Sequence, residues 1–286
     1  MTDPTVERLG EGEETLPELY RSGRAKQRRS RNSRIAAYTL GALIVAAVVV
    51  TADWERIGDK YFNGQIARDM FPDVITIAAK NTVVYTVFSF TGGVVLGLSM
   101  ALLRLSSIRV YRSFAATYID IFRGLPALLT IILVGFMTPI ALGIHFPTLF
   151  GVPTGGIVAL SLVAGAYLAE TIRSGIEAVP KGQVEAARSL GMTHAKTLRK
   201  VVIPQAFRII IPPLTNELVL LLKDTSLLAI LGVTITQKEL TKFAQSESSR
   251  TFNGTPLVVA GAIYLIITIP LTRLVSQLEK RNKAMR

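Results

Sequence analysis

The sequence predicts an all-α membrane protein with about six transmembrane helices. Half of its 286 residues are hydrophobic and 18% are charged, a balance that is rare in soluble domains of this length. The apolar residues also cluster into long runs with few charges, and most runs approach the roughly 20 residues that a helix needs to cross a bilayer. The runs are Ile35–Ala52, Val74–Leu103, Leu125–Leu142, Gly156–Ala169, Leu214–Val233 and Leu257–Leu271.

The distribution of the formal net charge of +12 indicates orientation. Basic residues crowd the ends of alternate runs, and the intervening loops 53–73, 143–155 and 234–254 hold few of them. This positive-inside pattern predicts a multi-pass protein of the cell membrane with both termini in the cytoplasm. No aromatic-interleaved basic groove accompanies the charge, so we expect contact with membrane lipid and no nucleic-acid partner. The basic segments are 21–34, 104–112, 181–208 and 273–286.

The two ends of the chain lie outside the predicted membrane domain. Residues 1–34 begin acidic, turn basic and contain almost no large apolar residues after Tyr20, so we predict a disordered cytoplasmic tail. Residues 35–52 then form the first transmembrane helix. A cleavable signal sequence is the alternative, but Val50 suits a cleavage site poorly. Residues 276–286 are expected to form a cytoplasmic C-terminal tail.

The sequence lacks the residue patterns that several kinds of chemical site require. Cysteine is absent, which excludes a disulfide, a thiolate metal site and a lipidated thiol on this chain. The sequence has no glycine-rich phosphate loop, so we expect no ATP binding here. Its two histidines, His145 and His194, fall in predicted loops and are expected at the surface. We therefore predict neither catalytic residues nor a cofactor or metal bound by this chain.

The second run carries a small residue at every fourth position on one helix face. Ser89, Gly93, Gly97 and Ala101 form this stripe, which allows another helix to approach closely. We favour packing within the chain over a contact with another subunit.

A polar and aromatic segment precedes the third run. Residues 108–124 mix arginines and an aspartate with tyrosines and phenylalanines, a composition that favours an interfacial helix over a spanning one. The third span then begins at Leu125-Pro126, and Pro139 is expected to kink it near its far end.

The loop between the fourth and fifth runs is predicted to be ordered. Glu185 to Leu190 are good helix formers, and Gly191 supplies the left-handed turn that ends such a helix. Thr193 can cap a second short helix, and Pro204 then marks a bend before the fifth span. The sequence therefore predicts a helix, a break and another helix.

Two interpretations of this loop remain open on helix content alone. Ala186 and Ala187 give the first helix a small, smooth surface that could enter a groove on another protein, while Glu185 and Arg188 pair at its rim. An ordinary amphipathic surface loop would have the same helix content.

The spacing of residues in this loop resembles a known pattern. Glu185-Ala-Ala, three residues, Gly191, nine residues and Val201-Val-Ile-Pro204 are similar to the EAA loop of ABC importer permeases. Valine and isoleucine here replace the family's isoleucine and leucine, which preserves apolar character. The segments Ala166–Ile176 and Lys223–Leu227 resemble the polar amino-acid branch, which carries histidine, glutamate, glutamine, arginine and opines. Phe122–Pro126 does so too, with Leu125 in place of a threonine.

The resemblance covers roughly residues 75–275 and implies a type I ABC permease domain with the EAA loop at 185–204. It implies that Glu185, Ala186, Ala187, Arg188, Gly191 and Pro204 dock onto a separate ATPase, which holds ATP and Mg. It further implies a second permease chain, identical or different, an extracytoplasmic binding protein for amino acids, and import by alternating access.

The fifth run holds the ionisable residues that we expect along the substrate pathway. If Pro212-Pro213 interrupts the helix, Lys223 and Asp224 fall near the middle of a span over 214–233. Charges inside a span are costly and usually face a cavity or a partner. A zwitterionic amino acid would complement such a face, although a purely structural network with other helices is the alternative. The face comprises Asn216, Glu217, Lys223, Asp224, Thr225 and Ser226.

Weaker candidates lie on two other runs. Glu170 and Arg173 are three residues apart near the inner end of the fourth run and most simply pair with each other. A gating or coupling role is an alternative for that pair. Asn81 and Thr82 lie near the outer end of the second run.

Two other classes of protein were weighed. An ion-driven secondary transporter would use Glu170 and Asp224 to carry protons or sodium, but it predicts internal repeats that the sequence lacks. A membrane-embedded enzyme needs an acid–base or metal constellation, which is also missing.

Overall fold

The computed structural model describes residues 15–284, with side chains over most of 33–277. Within these residues the regular secondary structure is helical apart from one short hairpin, β1 (Thr148–Leu149) and β2 (Val152–Pro153). The helices are α1 (Thr15–Thr51), α2 (Trp54–Tyr61), α3 (Gly64–Asp69), α4 (Lys80–Arg104), α5 (Arg109–Gly124), α6 (Ala127–Ile131), α7 (Thr138–Leu142), α8 (Thr154–Glu177), α9 (Lys181–Ser189), α10 (His194–Thr197), α11 (Ile203–Asp224), α12 (Leu240–Thr251) and α13 (Thr255–Ala284). Val74–Ala79, Ile132–Met137 and Leu198–Val202 are π-helical, and Thr225–Ile230 and Ile235–Gln237 are 3-10 helices.

The predicted number of spans is confirmed. Five helical runs in the described chain are long and apolar enough to cross a membrane, and a sixth forms if α5 and Ala127–Leu142 count together. The five are Ser33–Thr51, Val74–Arg104, Thr154–Glu177, His194–Ile230 and Thr255–Gln277.

The described residues fall into two compact units, the first ending at Ile57 and the second beginning at Gly58. In the first unit, α1 begins at Thr15, so the tail predicted to be disordered is helical from that residue onwards. Residues 1–14 lie outside the described part of the chain. The side chains from Ile35 to Val50 are exposed, as lipid-facing side chains of a spanning helix are.

The core of the second unit is the close packing of α4 against α8. A Cβ atom added at Gly93 would lie 2.9 Å from Ala164 Cβ, and one at Gly97 would lie 2.7 Å from Leu168 Cβ. The two backbones can approach this closely because the stripe carries small residues. Ser161 also donates a hydrogen bond to the Ser89 carbonyl at 3.3 Å. The prediction that the stripe packs within the chain is confirmed.

A sharp break separates α5 from the third span. The two helical segments meet at 109°, and α5 ends at Gly124 just before Leu125-Pro126, as the sequence predicts. Proline has no N–H to donate and disfavours helix at the residue before it, which explains the position of the break. Pro139 lies in the first turn of α7, directly after the π-helical segment.

The last helix continues beyond its candidate span, which ends at Gln277, into the predicted C-terminal tail. Because α13 runs to Ala284, most of the segment predicted to be a C-terminal tail, residues 276–284, is its final part. Residues 285–286 lie outside the described chain.

Candidate functional site

The break in the 185–204 loop has the geometry of a Schellman turn. Gly191 has a φ of +80°, and its N–H donates to the Arg188 carbonyl at 3.0 Å. The Met192 N–H donates to the Ala187 carbonyl at 3.1 Å. These two bonds satisfy carbonyls that the end of α9 would otherwise leave unpaired. Gly191 is needed here for its left-handed backbone, since space for a Cβ is free.

Side chains on both sides of Gly191 stabilise this turn. Arg188 Nη1 donates to the Met192 carbonyl at 2.9 Å. The Thr193 side chain accepts from the Lys196 N–H at 3.3 Å and so caps α10, as the sequence predicts. Arg188 forms no ion pair with Glu185 within the described residues. The loop is therefore held in one shape by its own residues.

The exposed surface of the loop differs from the predicted one. Glu185, Ala186 and Arg188 are exposed, but Ala187 is only 6% exposed and cannot contribute to a docking surface. Leu190, which the sequence analysis did not single out, is 84% exposed beside Gly191. A leucine before the glycine of a helix C-cap could have been recognised as the tip of the loop.

The second half of the loop is continuous with the fifth span. The helical run from His194 to Ile230 passes through Leu198–Val202, with Pro204 in the first turn of α11. Pro204 lies inside this run, just after the π-helical segment, and the bend predicted there stays a prediction. The helical run that contains α11 thus begins directly after Thr193.

The predicted substrate face lies along one side of α11. Asn216 and Lys223 are exposed and Glu217 and Asp224 are half-buried. Asn216 lies seven residues before Lys223 and Glu217 seven before Asp224, a spacing of about two helical turns that places these side chains along one broad face. The opposite side is buried and includes Val219, Leu221 and Leu222.

None of the four polar side chains has a hydrogen-bond or ion-pair partner in the described chain. Glu217 and Asp224 lie close enough to repel each other electrostatically, and Lys223 offsets this only in part for Asp224. Uncompensated charges of this kind are costly when partly removed from water. The face is therefore chemically incomplete in this single chain.

The position of this face along the span differs from the prediction. Pro212 and Pro213 lie inside α11 without ending it, and α11 ends at Asp224. Spanning helices tolerate prolines when neighbouring groups satisfy the freed carbonyls. Lys223 and Asp224 therefore lie in the last turn of α11 and not in the middle of a span over 214–233.

The last two members of the predicted face have different roles. Thr225 is 0% exposed and donates to the Leu222 carbonyl at 2.7 Å, so it belongs to the interior. Ser226 is half-buried in the 3-10 turn that follows α11.

Glu170 and Arg173 pair with each other, as the sequence predicts. Arg173 donates to both carboxylate oxygens of Glu170 and also to Glu177 one turn later. Arg123 lies near Glu170, with its guanidinium 5.6 Å from the centre of the Tyr167 ring. No hydrogen bond or ion pair connects this group to the α11 face among residues 33–277.

A buried polar cluster that the sequence analysis missed lies at the start of α12. Glu239 is 2% exposed, and its carboxylate accepts from the Thr241 and Lys242 N–H groups at 2.6 Å each. The Tyr264 hydroxyl of α13 donates to it at 3.1 Å. Asn81 and Thr82, predicted as weak pathway candidates, instead fasten the same loop to α4. We call these five residues, Asn81, Thr82, Glu239, Thr241 and Tyr264, the Glu239 junction.

Two contacts fix α4 in this junction. Asn81 Nδ2 donates to the Thr236 and Lys238 carbonyls at 2.8 and 3.0 Å. The Thr82 hydroxyl accepts from the Leu240 N–H at 3.1 Å. Burial raises the pKa of Glu239 to about 7, although its three donors favour the ionised form. A glutamate followed by a helical pattern could have been recognised as an N-cap, but its burial could not.

The remaining candidates behave as surface residues. His145 and His194 are both exposed, as predicted. His145 borders a cavity of about 280 Å³ between α7 and Leu231–Val233, which apolar residues and glycines line. No group of three or more metal-ligating side chains occurs among the residues that the structure describes. The arrangement suits binding and movement better than covalent chemistry.

The fold and the loop define a membrane-spanning transport subunit. Residues 93–284 match the family described as binding-protein-dependent transport system inner membrane component. The chain belongs to this family, the permease subunits of ABC importers. This membership decides against the ion-driven transporter and the membrane-embedded enzyme.

Curated relatives include several amino-acid permeases. The L-cystine transport system permease protein TcyB of Bacillus subtilis is 39% identical over 76% of this chain and 89% of its own. The putative glutamine transport system permease protein GlnP of Rickettsia bellii is 36% identical over 70% and 88%. The arginine transport system permease protein ArgU of Corynebacterium glutamicum is 34% identical over 85% and 78%.

Solved structures agree with this assignment. A crystal structure of an amino acid ABC transporter with histidines matches with a TM-score of 0.67 and 36% identity, covering 74% of this chain and 95% of that one. The MetNI methionine ABC transporter matches at a TM-score of 0.59 and 19% identity, covering 76% and 98%, which supports the fold alone. The chain is thus an all-α, multi-pass type I permease subunit of an ABC importer.

Proposed function

We propose that this chain forms one half of the translocation pathway of an ATP-driven importer for polar amino acids. A binding protein on the outer side delivers the substrate, and a second permease chain, identical or different, completes the pathway. Separate ATPase subunits bind ATP and Mg and dock onto the loop 185–204. Both termini and this loop lie in the cytoplasm, in agreement with the positive-inside charge pattern.

The shape of the loop supports the docking role. The Schellman turn holds Leu190 and Arg188 at an exposed tip, and an exposed leucine beside charged residues is suited to a groove on a partner. Because His194 to Ile230 form one helical run, closure of the ATPases would move α11 along with the loop. Alternating access then follows from two such chains moving together.

The unpaired charges of α11 are the observation that supports an amino-acid substrate. Asp224 and Glu217 offer carboxylates to an ammonium group, and Lys223 offers an ammonium to a carboxylate. A zwitterion supplies both partners and leaves no charge uncompensated. The substrates in the names of the relatives, glutamine, arginine and cystine, all carry this zwitterionic group.

The substrate role can be tested with Asp224→Asn in the complete transporter reconstituted in liposomes. We expect uptake and substrate-stimulated ATP hydrolysis to fall about tenfold or more, because a hydrogen bond to a charged group is lost. Asp120→Asn, which removes an exposed carboxylate on α5, is the matched control and is expected to transport normally. Unchanged uptake by Asp224→Asn would refute contact between Asp224 and the substrate.

The docking role can be tested with Gly191→Val. Valine is strained at a φ of +80°, so the Schellman turn should open and the ATPase should no longer co-purify with the permease. Gly182→Val is the control, since Gly182 lies in α9 before the loop, has no positive φ and has free space for a side chain. Normal co-purification of the Gly191 variant would count against docking at this turn.

A further inference from the structure

Three arginines gather where α4 leads into α5. α4 ends at Arg104, and α5 begins at Arg109. Arg104 Nη1 donates to the Arg112 carbonyl at 3.4 Å, which places the end of α4 against the first turn of α5. Arg109 and Arg112 are three residues apart on α5 and are therefore neighbours on its surface. We call Arg104, Arg109 and Arg112 the arginine corner.

The chain does not neutralise the charge of the arginine corner. In the part of the chain with described side chains, no carboxylate lies within ion-pair distance of these three guanidinium groups. Glu170 attracts Arg104 from further away, but both of its oxygens already accept hydrogen bonds from Arg173. Asp120, the sole acidic residue of α5, lies two helical turns beyond Arg112. Because like charges held close together repel one another, the corner favours an anion from outside the chain.

α5 also carries an exposed apolar stripe beside these arginines. Val110, Phe114 and Ile121 are all exposed, and their spacing places them within about 40° of one another around the helix. Ala115 and Ile119, on another side of α5, are buried. A helix with separate buried, apolar and basic faces suits the boundary between the acyl chains and the headgroups of a bilayer.

The neighbouring spans place the arginine corner at a membrane surface. Arg104 is the last residue of the spanning run that begins at Val74. α5 meets the third span at 109°, so the two do not form one straight crossing. Arginines near the ends of spans extend their charged groups towards the lipid headgroups.

We propose that the arginine corner binds the headgroup of an anionic phospholipid in the cytoplasmic leaflet, while the stripe Val110, Phe114 and Ile121 enters the acyl region. The choice of leaflet rests on the orientation proposed above, but the preference for an anionic headgroup does not. Tyr118 donates to the Leu162 carbonyl at 2.7 Å and ties α5 to α8. A bound lipid therefore holds α5 from its membrane side, opposite this protein contact.

A single tryptophan on the apolar stripe can report the lipid beside it. Trp54 is the only tryptophan of the chain, so Trp54→Phe combined with Phe114→Trp gives one reporter. The full permease chain would be reconstituted in phosphatidylcholine vesicles with equal fractions of brominated phosphatidylglycerol or brominated phosphatidylcholine. We expect the phosphatidylglycerol to quench the reporter at least about threefold more strongly, since cations near a membrane surface attract anionic lipid. Equal quenching by the two lipids would overturn the proposal.

Variants of the arginines separate charge from packing. Arg109→Gln with Arg112→Gln should abolish the preference for phosphatidylglycerol, and Arg109→Lys with Arg112→Lys should keep it, because the charge is retained. Arg273→Gln removes an exposed cation of α13 and is the matched control, which should also keep the preference. A preference that survives in the double glutamine variant would contradict binding at the arginine corner.

The same vesicles distinguish the other possible occupants of this surface. If neither brominated lipid quenches the reporter, another protein surface, such as a second permease chain, covers the stripe and the proposal fails. If inorganic phosphate removes the preference and chloride of equal ionic strength does not, the corner binds a soluble anion and the proposal also fails.

A second measurement keeps the test decisive if Phe114→Trp does not fold. The midpoint of thermal unfolding of the wild type in neutral detergent should rise when phosphatidylglycerol is added, because a ligand of the folded state stabilises it. Arg109→Gln with Arg112→Gln should remove this rise. An equal rise in the two proteins would overturn the proposal.

Discussion

Two groups of polar residues close together in the sequence differ in almost every physical respect. In the Glu239 junction Asn81, Thr82 and Glu239 are buried, Thr241 and Tyr264 are half-buried, and each side chain has hydrogen-bond partners within the chain. On the α11 face the side chains are exposed or half-buried and lack such partners among residues 33–277. Only 14 residues separate Asp224 from Glu239.

The difference teaches how to assign polar residues in a membrane protein. A buried polar group that is fully hydrogen-bonded stabilises the fold, because breaking it leaves partners unsatisfied. A charged group without partners gains nothing from the fold alone, and inside a span it marks a candidate site for a ligand or another subunit. Stability measurements should therefore respond to changes in the junction, and transport should respond most to changes on the face.

The largest expected effect is a dependence of the free energy of unfolding on pH, caused by the titration of Glu239. Burial raises the pKa of Glu239 from an ordinary 4.5 to about 7, so the fold favours its protonated form. The stabilisation is complete below pH 4.5 and is lost as the pH rises through 7. We expect this group to make the free energy of unfolding about 2–3 kcal/mol larger at pH 5 than at pH 8.

Thermal or denaturant unfolding of the wild type and of Glu239→Gln in detergent, across this pH range, isolates the contribution of Glu239. The difference in stability between the two proteins should favour the wild type increasingly as the pH falls. A difference that stays constant from pH 5 to pH 8 would show that Glu239 titrates in its ordinary range.

An intermediate effect on the free energy of unfolding is expected from Asn81→Ala. This change leaves the Thr236 and Lys238 carbonyls without their donor and should lower the free energy of unfolding by about 1–2 kcal/mol. Asn216→Ala on the α11 face is the matched control, with an expected change below about 0.5 kcal/mol. If both variants lowered the free energy of unfolding equally, the Glu239 junction and the α11 face would not differ in their contribution to stability.

The smallest effect on the free energy of unfolding is expected from Glu217→Gln on the α11 face. Because Glu217 has no ion-pair partner and lies near Asp224, removing its charge should stabilise the chain by up to about 1 kcal/mol. The midpoint of thermal unfolding at neutral pH measures this change. Destabilisation instead would mean that Glu217 is paired within the transporter, and the face would then resemble the junction.

Much of the docking loop could be predicted because its geometry is local. A left-handed glycine after a helix and a threonine before the next one are decided by residues within one turn. Gly191 and Thr193 behave as the sequence indicates. Ala187 does not, since which side of a short helix is buried depends on what packs against it.

The α11 face was predicted in composition but not in position. The predicted position depended on the condition that Pro212-Pro213 interrupts the helix, yet α11 continues through both prolines. The preference of proline against helix interiors is a local energy of about 3 kcal/mol, which tertiary packing of a spanning helix can outweigh. The docking and substrate roles of these residues stay predictions until the variants above are measured.

The sequence by itself determined the all-α class, the number of spans, the stripe of small residues and the turn at Gly191. Hydrophobic run length and helix-cap chemistry act over short distances, so neighbouring residues suffice to specify them. Only the tertiary structure decided that Thr225 is interior, that Asn81 holds a loop, and that Glu239 is buried against α13. Burial and hydrogen-bond partners belong to residues that lie far apart in the chain, and no local pattern records them.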